Sequence, residues 1–125
     1  MNGRGRELAD LMRKRKVDAL CVQETRWKGN KAKELGDGYK IFYSGANKQG
    51  RNGVGIILSQ ELKNTVIEVN RKDDRTMRVK LSDGEGIMNI ISAYAPQVGC
   101  NEKEKDRFWR GLDGMMQEIG EGGRK

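Results

Sequence analysis

The sequence predicts an α/β domain in which a helix, a strand, a run of antiparallel strands and a second helix follow one another. Apolar residues recur every three or four positions within residues 6–16 and 101–119, which is typical of amphipathic helices. Between these segments lie apolar runs bounded by turn-forming residues, which is typical of strands. The length of 125 residues allows one domain of ordinary size.

The first helix is predicted over residues 6–16. Leu8, Leu11 and Met12 fall at positions i, i+3 and i+4, so they form one apolar stripe. The basic cluster Arg-Lys-Arg-Lys at residues 13–16 falls in the last turn, where cations stabilise the negative end of the helix dipole. We therefore interpret this cluster as stabilising the helix rather than as a binding site.

Six strands follow, and three of them need cover on both faces. They are predicted at residues 19–22, 39–43, 54–58, 66–69, 76–81 and 87–94. The fourth and fifth strands form a hairpin around a polar turn, and Pro96 ends the sixth. The first, third and sixth strands are apolar on both alternating faces. Because two helices cover only one face of a sheet, we expect the other face to stay open.

The second helix is predicted over residues 101–119. Five apolar residues recur there at helical spacing: Phe108, Leu112, Met115, Met116 and Ile119. Gly111 and Gly114 weaken this helix by up to about 1 kcal/mol each relative to alanine.

The composition excludes several enzyme classes. The chain has no histidine, which removes Ser-His-Asp hydrolases, Cys-His proteases and the common zinc sites. We expect the two cysteines, Cys21 and Cys100, to be reduced and structurally ordinary. No segment approaches the roughly 18 consecutive apolar residues of a membrane span, and residues 1–6 lack the apolar stretch of a secretory signal. We therefore expect a soluble, intracellular protein.

The net charge of +7 lies entirely in residues 1–60, since residues 61–125 are neutral overall. Within residues 26–51 the basic residues stand mostly among glycine and asparagine, a loop composition: Arg26, Lys28, Lys31, Lys33, Lys40, Lys48 and Arg51. Such loops can bind a polyanion such as nucleic acid through its phosphates. They can equally serve only to keep a surface soluble, and composition leaves both readings open.

Two residues at strand ends could carry chemistry. Glu24 follows the first strand, a place where most glutamates are merely solvated. Tyr94 ends the sixth strand, where a tyrosine is more often a core ring with its hydroxyl at the rim. If the two strands are neighbours, a carboxylate and a phenol share one edge of a sheet. That pair suits a hard cation and a phosphate oxygen.

Four blocks of the sequence resemble consecutive blocks of the endonuclease/exonuclease/phosphatase superfamily. They are Leu-Cys-Val-Gln-Glu-Thr-Arg-Trp at residues 20–27, Asn-Gly-Val-Gly-Ile-Ile-Leu at 52–58, Asp-Arg-Thr-Met-Arg-Val at 74–79 and Ile-Ile-Ser-Ala-Tyr-Ala-Pro-Gln at 90–97. Within it, the sequence resembles the apurinic-endonuclease-like domain of non-LTR retrotransposons and the craniofacial-development-protein group related to it. The Gln-Glu-Thr and Tyr-Xaa-Pro blocks are specific together and weak separately.

The resemblance implies a four-layered αββα sandwich with a mixed, mainly antiparallel sheet, and cleavage of phosphodiester bonds in DNA with Mg²⁺. By this resemblance, Glu24 matches the metal-ligating glutamate of the superfamily. Tyr94 matches the catalytic tyrosine that helps hold the scissile phosphate. Residues implied or expected to bind nucleic acid are Gln97, Arg75, Arg51, Asn52 and Lys48. For Arg75 the resemblance supports either a supporting or a phosphate-contacting role, and relatives often carry asparagine where this chain has Gln97.

The resemblance also implies that residues 1–125 are a partial domain, truncated at both ends. The family's first strand would precede Met1, and its catalytic aspartate, asparagine and final Asp-His pair would follow Lys125. We therefore expect a fragment of a retrotransposon-derived endonuclease that is inactive alone. The alternatives are a nucleic-acid-binding module without catalysis and a remnant without function. DNA is the expected partner, with no membrane and no small-molecule cofactor, and the nucleus is the favoured compartment.

Overall fold

A computed structural model describes residues 5–96 and 101–122 and contains two β-sheets between two helices. The elements are α1 (Gly5–Arg15), β1 (Ala19–Gln23), β2 (Lys31–Gly36), β3 (Tyr39–Ser44), β4 (Val54–Leu58), α2 (Gln60–Lys63), β5 (Val66–Arg71), β6 (Thr76–Ser82), β7 (Ile87–Ala93) and α3 (Glu102–Gly122). One sheet has the strand order β1-β4-β3-β2 and the other β5-β6-β7. Every strand pair in the described residues is antiparallel. The predicted hairpin is β5–β6.

Helix α1 covers the outer face of the first sheet. Ala9 and Met12 are buried against Ile41 of β3 and Ile57 of β4. The predicted apolar stripe was partly wrong, because Leu11 is 51% exposed. Ala9 lies on the buried face instead, where its small side chain lets the helix approach the sheet closely.

The inner faces of the two sheets pack on each other and form a second core. Alternate residues of β4, namely Val54, Ile56 and Leu58, meet Met77 and Val79 of β6 in one buried cluster. The expectation of an open face was therefore wrong. The strands from β5 onward do not extend the first sheet; they form a second sheet that covers it, so strands apolar on both faces are buried on both.

Helix α3 lies over the outer face of the second sheet. Arg78 of β6 alternates with the inward-pointing Met77 and Val79, so its side chain points outward. There its guanidinium lies 2.8 Å from a carboxylate oxygen of Glu68 and 4.0 Å from one of Glu118 in α3. The layers follow the order helix, sheet, sheet, helix, which confirms the predicted fold class. None of the helices described is long and apolar enough to cross a membrane.

Two elements were not predicted. Strand β2 has the sequence Lys-Ala-Lys-Glu-Leu-Gly, and only Leu35 of it is buried, so it lacks an apolar pattern. Helix α2 is a single turn capped by Ser59, whose hydroxyl accepts the backbone N–H of Leu62 at 3.3 Å. Both elements are held by neighbours and by the cap more than by their own apolar residues.

The core between the two sheets predicts that two isoleucine-to-alanine substitutions should differ in their effect on the free energy of unfolding. Ile56 is fully buried between the sheets, whereas Ile67 of β5 is 57% exposed. Ile56→Ala should lower the free energy of unfolding by about 2–5 kcal/mol because it leaves a cavity. Ile67→Ala should change it by about 0.5 kcal/mol or less. Urea unfolding measures both, and equal losses would contradict the two-core arrangement.

Candidate active site

The strands that carry Glu24 and Tyr94 belong to different sheets but lie side by side. β1 and β7 are each at the edge of their own sheet. Three side-chain donors reach backbone carbonyls of the other strand: Cys21 Sγ to Ile91 at 3.4 Å, Ser92 Oγ to Val22 at 3.2 Å and Gln23 Nε2 to Ala93 at 2.7 Å. Each bond joins residues 70 positions apart. We call this set the edge seam, and it holds β1 and β7 parallel and in register.

Glu24 and Tyr94 meet for a different reason from the one that the sequence suggested. The expected condition was that the first and sixth strands are neighbours in one sheet, and they are not. They meet because two sheets are stacked and their edges coincide. The carboxylate and the phenol therefore approach across the sandwich, where side chains and not backbone ladders set the distance.

The thiol of Cys21 takes part in the edge seam as a donor. Although Cys21 is a free cysteine with part of its surface exposed, partial burial of the thiol raises its pKa, and a hydrogen bond with Ser92 lowers it in part. The thiol is therefore protonated at neutral pH and can donate to the Ile91 carbonyl. This fits the expectation of an ordinary cysteine, while Cys100 lies outside the described residues.

Glu24 and Tyr94 are the next pair along the edge seam, and their side chains are in contact. Tyr94 Oη donates a hydrogen bond to Glu24 Oε1 at 2.8 Å. Arg26 Nη2 lies 3.9 Å from the same oxygen. Both Glu24 and Arg26 have left-handed backbone angles, with φ of 54° and 60°. Such angles in non-glycine residues cost of order 1–3 kcal/mol each and cluster at functional sites.

The loop before β4 holds the strained turn in place. The N–H of Thr25 donates to the Gly53 carbonyl at 3.2 Å, and the N–H of Arg26 donates to the Asn52 carbonyl at 2.9 Å. Asn52 Nδ2 in turn donates to Asp74 Oδ2 at 2.6 Å. The two blocks that resemble the superfamily at residues 20–27 and 52–58 are therefore joined directly by backbone hydrogen bonds.

Arg75 lies against Tyr94 with its side chain only 11% exposed. Its Nη1 donates to the Tyr94 carbonyl at 3.1 Å, and its guanidinium carbon lies 5.1 Å from the centre of the Tyr94 ring. Its Nη2 donates to Glu104 Oε1 of α3 at 3.3 Å. These contacts favour the supporting role among the two that the sequence left open.

These side chains line a cleft of about 220 Å³. Its lining is Glu24, Arg26, Asn47, Arg51, Asn52, Arg75, Tyr94 and Glu104. Five predicted site residues are thus brought together: Glu24, Tyr94, Arg75, Arg51 and Asn52. Lys48 is exposed on the adjacent turn and is not among the lining residues. Gln97 lies outside the described residues.

Three lining residues were not predicted as site residues. Asn47 Oδ1 accepts the N–H groups of Gln49 and Arg51, so it shapes the turn that presents Arg51. Arg26 stands in the quoted Gln-Glu-Thr-Arg block, which is the signal that could have found it. Glu104 reads in sequence as an ordinary first-turn glutamate, and only the tertiary fold brings it to Arg75.

The acidic residues of the cleft are the candidates for binding a metal ion. The described residues contain no group of three or more Asp, Glu, Cys or His side chains that could hold a metal ion. Both cleft carboxylates lie near an arginine, but Glu104 is 3.3 Å from Arg75 whereas Glu24 is 3.9 Å from Arg26. Glu24, which has the looser ion pair, is therefore the candidate ligand. A carboxylate oxygen is the donor that Mg²⁺ prefers, but that ion is normally held by more than one anchoring group. The cleft fits one ligand of a metal site and does not form a complete one.

Comparison with known proteins identifies the family of the chain. Residues 1–114 match the Endonuclease/Exonuclease/phosphatase family, and the chain belongs to that family. The domain is therefore of the nuclease or phosphatase type, in a family that is generally metal-dependent.

Two curated relatives carry the same name. Craniofacial development protein 2 of Bos taurus is 31% identical over 101 residues, and that of Tragulus javanicus is 29% identical over 101 residues. Each match covers 81% of this chain and 17% of the relative. The chain thus spans only a small part of the length of the curated relatives it matches.

The close approach of the two loops predicts different costs for two glycine substitutions. Gly50 and Gly53 have φ of 75° and 92°, so alanine at either position strains the backbone by about 1–2 kcal/mol. A Cβ at Gly53 would also lie 2.5 Å from Thr25 Oγ1 and 3.0 Å from the Arg26 nitrogen, whereas at Gly50 it meets nothing within 4 Å. Gly53→Ala should therefore lower the free energy of unfolding by more than Gly50→Ala in a urea titration. Equal losses would show that the two loops do not touch as described.

Proposed function

We propose that this chain is part of a Mg²⁺-dependent endonuclease domain of retrotransposon origin that hydrolyses phosphodiester bonds in DNA. The observation that carries the proposal is the 2.8 Å contact between Tyr94 and Glu24 inside a cleft rimmed by arginines. Family membership supports the nuclease or phosphatase chemistry. The resemblance of the four sequence blocks supports the choice of DNA, magnesium and a retrotransposon ancestor.

The cleft residues divide the work by their chemistry. A metal ion, when bound, would neutralise charge that develops on the scissile phosphate. Glu24 would supply one carboxylate ligand to it. Tyr94 would turn its hydroxyl from Glu24 to a phosphate oxygen, for which a phenol is a suitable donor. Arg26 and Arg51 would attract the anionic backbone and hold it at the cleft.

We further propose that this chain alone does not cut DNA. One carboxylate is a poor site for Mg²⁺, which keeps most of its waters. The sequence also lacks histidine, which the superfamily it resembles uses in its final Asp-His pair. Proton-transferring and charge-stabilising groups are each worth orders of magnitude in rate. Hydrolysis by a cleft with one candidate metal ligand and no histidine should therefore stay near background.

A nicking assay checks this proposal. Supercoiled plasmid incubated with the chain and Mg²⁺ should stay as intact as plasmid incubated with chelator. Glu24→Ala and Glu61→Ala, the latter an exposed residue of α2, should behave like the parent chain. Nicking that requires magnesium and is lost in Glu24→Ala, but kept in Glu61→Ala, would show that the chain is active by itself.

A second candidate function is a module that binds nucleic acid without cutting it. The observation that favours it is the charge distribution, since all of the net charge of +7 lies in residues 1–60. Two of these basic residues, Arg26 and Arg51, line the cleft, and Lys48 is exposed beside it. Binding of this kind requires neither a complete metal site nor a metal ion.

Phosphate binding at the cleft predicts a change in the salt dependence of DNA affinity. Lys48→Ala/Arg51→Ala removes two positive charges from the rim of the cleft. It should reduce the slope of log affinity against log salt by about 2 for a short duplex. The matched control Lys14→Ala/Arg15→Ala removes two exposed charges from the last turn of α1 and should leave the slope unchanged. Equal slopes for all three chains, or undetectable binding by the parent, would count against both candidate functions.

The proposed substrate also bears on the compartment and on partners. We propose that the protein acts in the nucleus, because its proposed substrate is DNA. Imaging of the tagged chain in cells would check this, and exclusion from the nucleus would contradict it. No small-molecule cofactor is needed by the proposed chemistry.

A further inference from the structure

We propose that Arg75 and Glu104 are positioning residues that set the aim of the Tyr94 hydroxyl. This inference rests on the proposed function, in which Tyr94 holds the scissile phosphate. It assigns a task to α3, the one helix that reaches the cleft lining in the described residues. Neither residue needs to touch the substrate for this task.

Arg75 holds Tyr94 at two separate points. Its Nη1 donates to the backbone carbonyl at 3.1 Å, and its guanidinium carbon stands 5.1 Å from the ring centre. The N–H of Tyr94 also donates to the Arg75 carbonyl at 2.8 Å, which fixes the backbones of the two residues together. A planar guanidinium can stack on a ring and donate from its edge at the same time, which a lysine ammonium cannot do.

Glu104 keeps the guanidinium in that orientation. Its Oε1 accepts from Arg75 Nη2 at 3.3 Å, and the Arg75 side chain is only 11% exposed. The backbone of Glu104 is fixed independently, because its N–H donates to Asn101 Oδ1 at 2.8 Å in a helix cap. A glutamate three residues after the cap often bonds back to the capping residue, and here its side chain binds Arg75 instead.

The chain of contacts therefore runs from α3 to the reactive pair. Glu104 binds Arg75, Arg75 binds Tyr94, and Tyr94 donates to Glu24. Helix α3 is also tied to the second sheet through Glu118 and Arg78. Helix α3 is thus held at its N-terminal cap and, through Glu118, near its C-terminal end. Its first turn can therefore serve as a fixed support for Tyr94.

The direction in which Glu104→Gln changes DNA affinity distinguishes a positioning role from an effect of charge alone. Glu104→Gln removes a negative charge from the cleft, so charge alone predicts tighter binding of a short DNA duplex. Positioning predicts binding weaker by about fivefold, the loss expected from about one well-formed contact. Arg75→Lys keeps the positive charge and should also weaken binding. The matched control is Glu102→Gln in the same helical turn, whose side chain is 93% exposed and which should not weaken binding.

A second readout follows Tyr94 directly by NMR. Its ring resonances, assigned with Tyr94→Phe, should shift in Glu104→Gln, where the guanidinium over the ring moves, and in Arg75→Lys, where an ammonium replaces it. They should stay in place in Glu102→Gln. Thermal unfolding of each variant shows that the chain remains folded. Unchanged Tyr94 resonances together with equal or tighter DNA binding by Glu104→Gln would overturn the inference. If the parent chain binds no DNA, the proposed function fails, and the NMR shifts alone decide whether Arg75 and Glu104 position Tyr94.

Discussion

The edge seam between β1 and β7 is the contact on which the rest of the cleft depends. Backbone ladders fix strands within each sheet, but the two sheets are joined at this edge by side chains that bond to carbonyls. The hydrogen bonds of Cys21, Gln23 and Ser92 fix which residue of β1 lies opposite which residue of β7. With that register, Glu24 and Tyr94 come next and meet at 2.8 Å. A slip by one residue would turn one of the two side chains to the opposite face of its strand.

The stacking of the sheets follows from the alternation of side chains along β4. Val54, Ile56 and Leu58 point to the inner core, while Ile57 points to the core beneath α1. A strand that is apolar on both faces is stable only between two layers, so it needs α1 on one side and the second sheet on the other. Stacking in turn brings the edges of the sheets together. The strained angles at Glu24 and Arg26 persist because the loop before β4 satisfies the backbone of the turn.

Much of this arrangement could be predicted from the sequence, because much of it is local. Apolar runs and turn residues predicted six strands and both long helices, and the motif blocks identified Glu24 and Tyr94. That β5, β6 and β7 form the second sheet was missed, because an apolar pattern tells which residues are buried but not what covers them. β2 was missed because its polar residues, such as Lys31 and Lys33, carry no strand pattern. Glu104 could not be recognised, since its partner Arg75 lies 29 positions away in sequence.

The charged side chains of the cleft determine which ions it can bind. Glu24 is the carboxylate better placed to bind a cation, because its ion pair with Arg26 at 3.9 Å is longer than that of Glu104 with Arg75 at 3.3 Å. Arg26 and Arg51 stand on the same cleft and attract an anion. A cleft with two carboxylates and three arginines is better suited to hold a phosphate diester than a metal ion alone, because arginines bind phosphate directly but repel a cation. Under the proposed function, the phosphate would bring oxygen ligands of its own, so that a cation would bind more tightly with the phosphate present than without it.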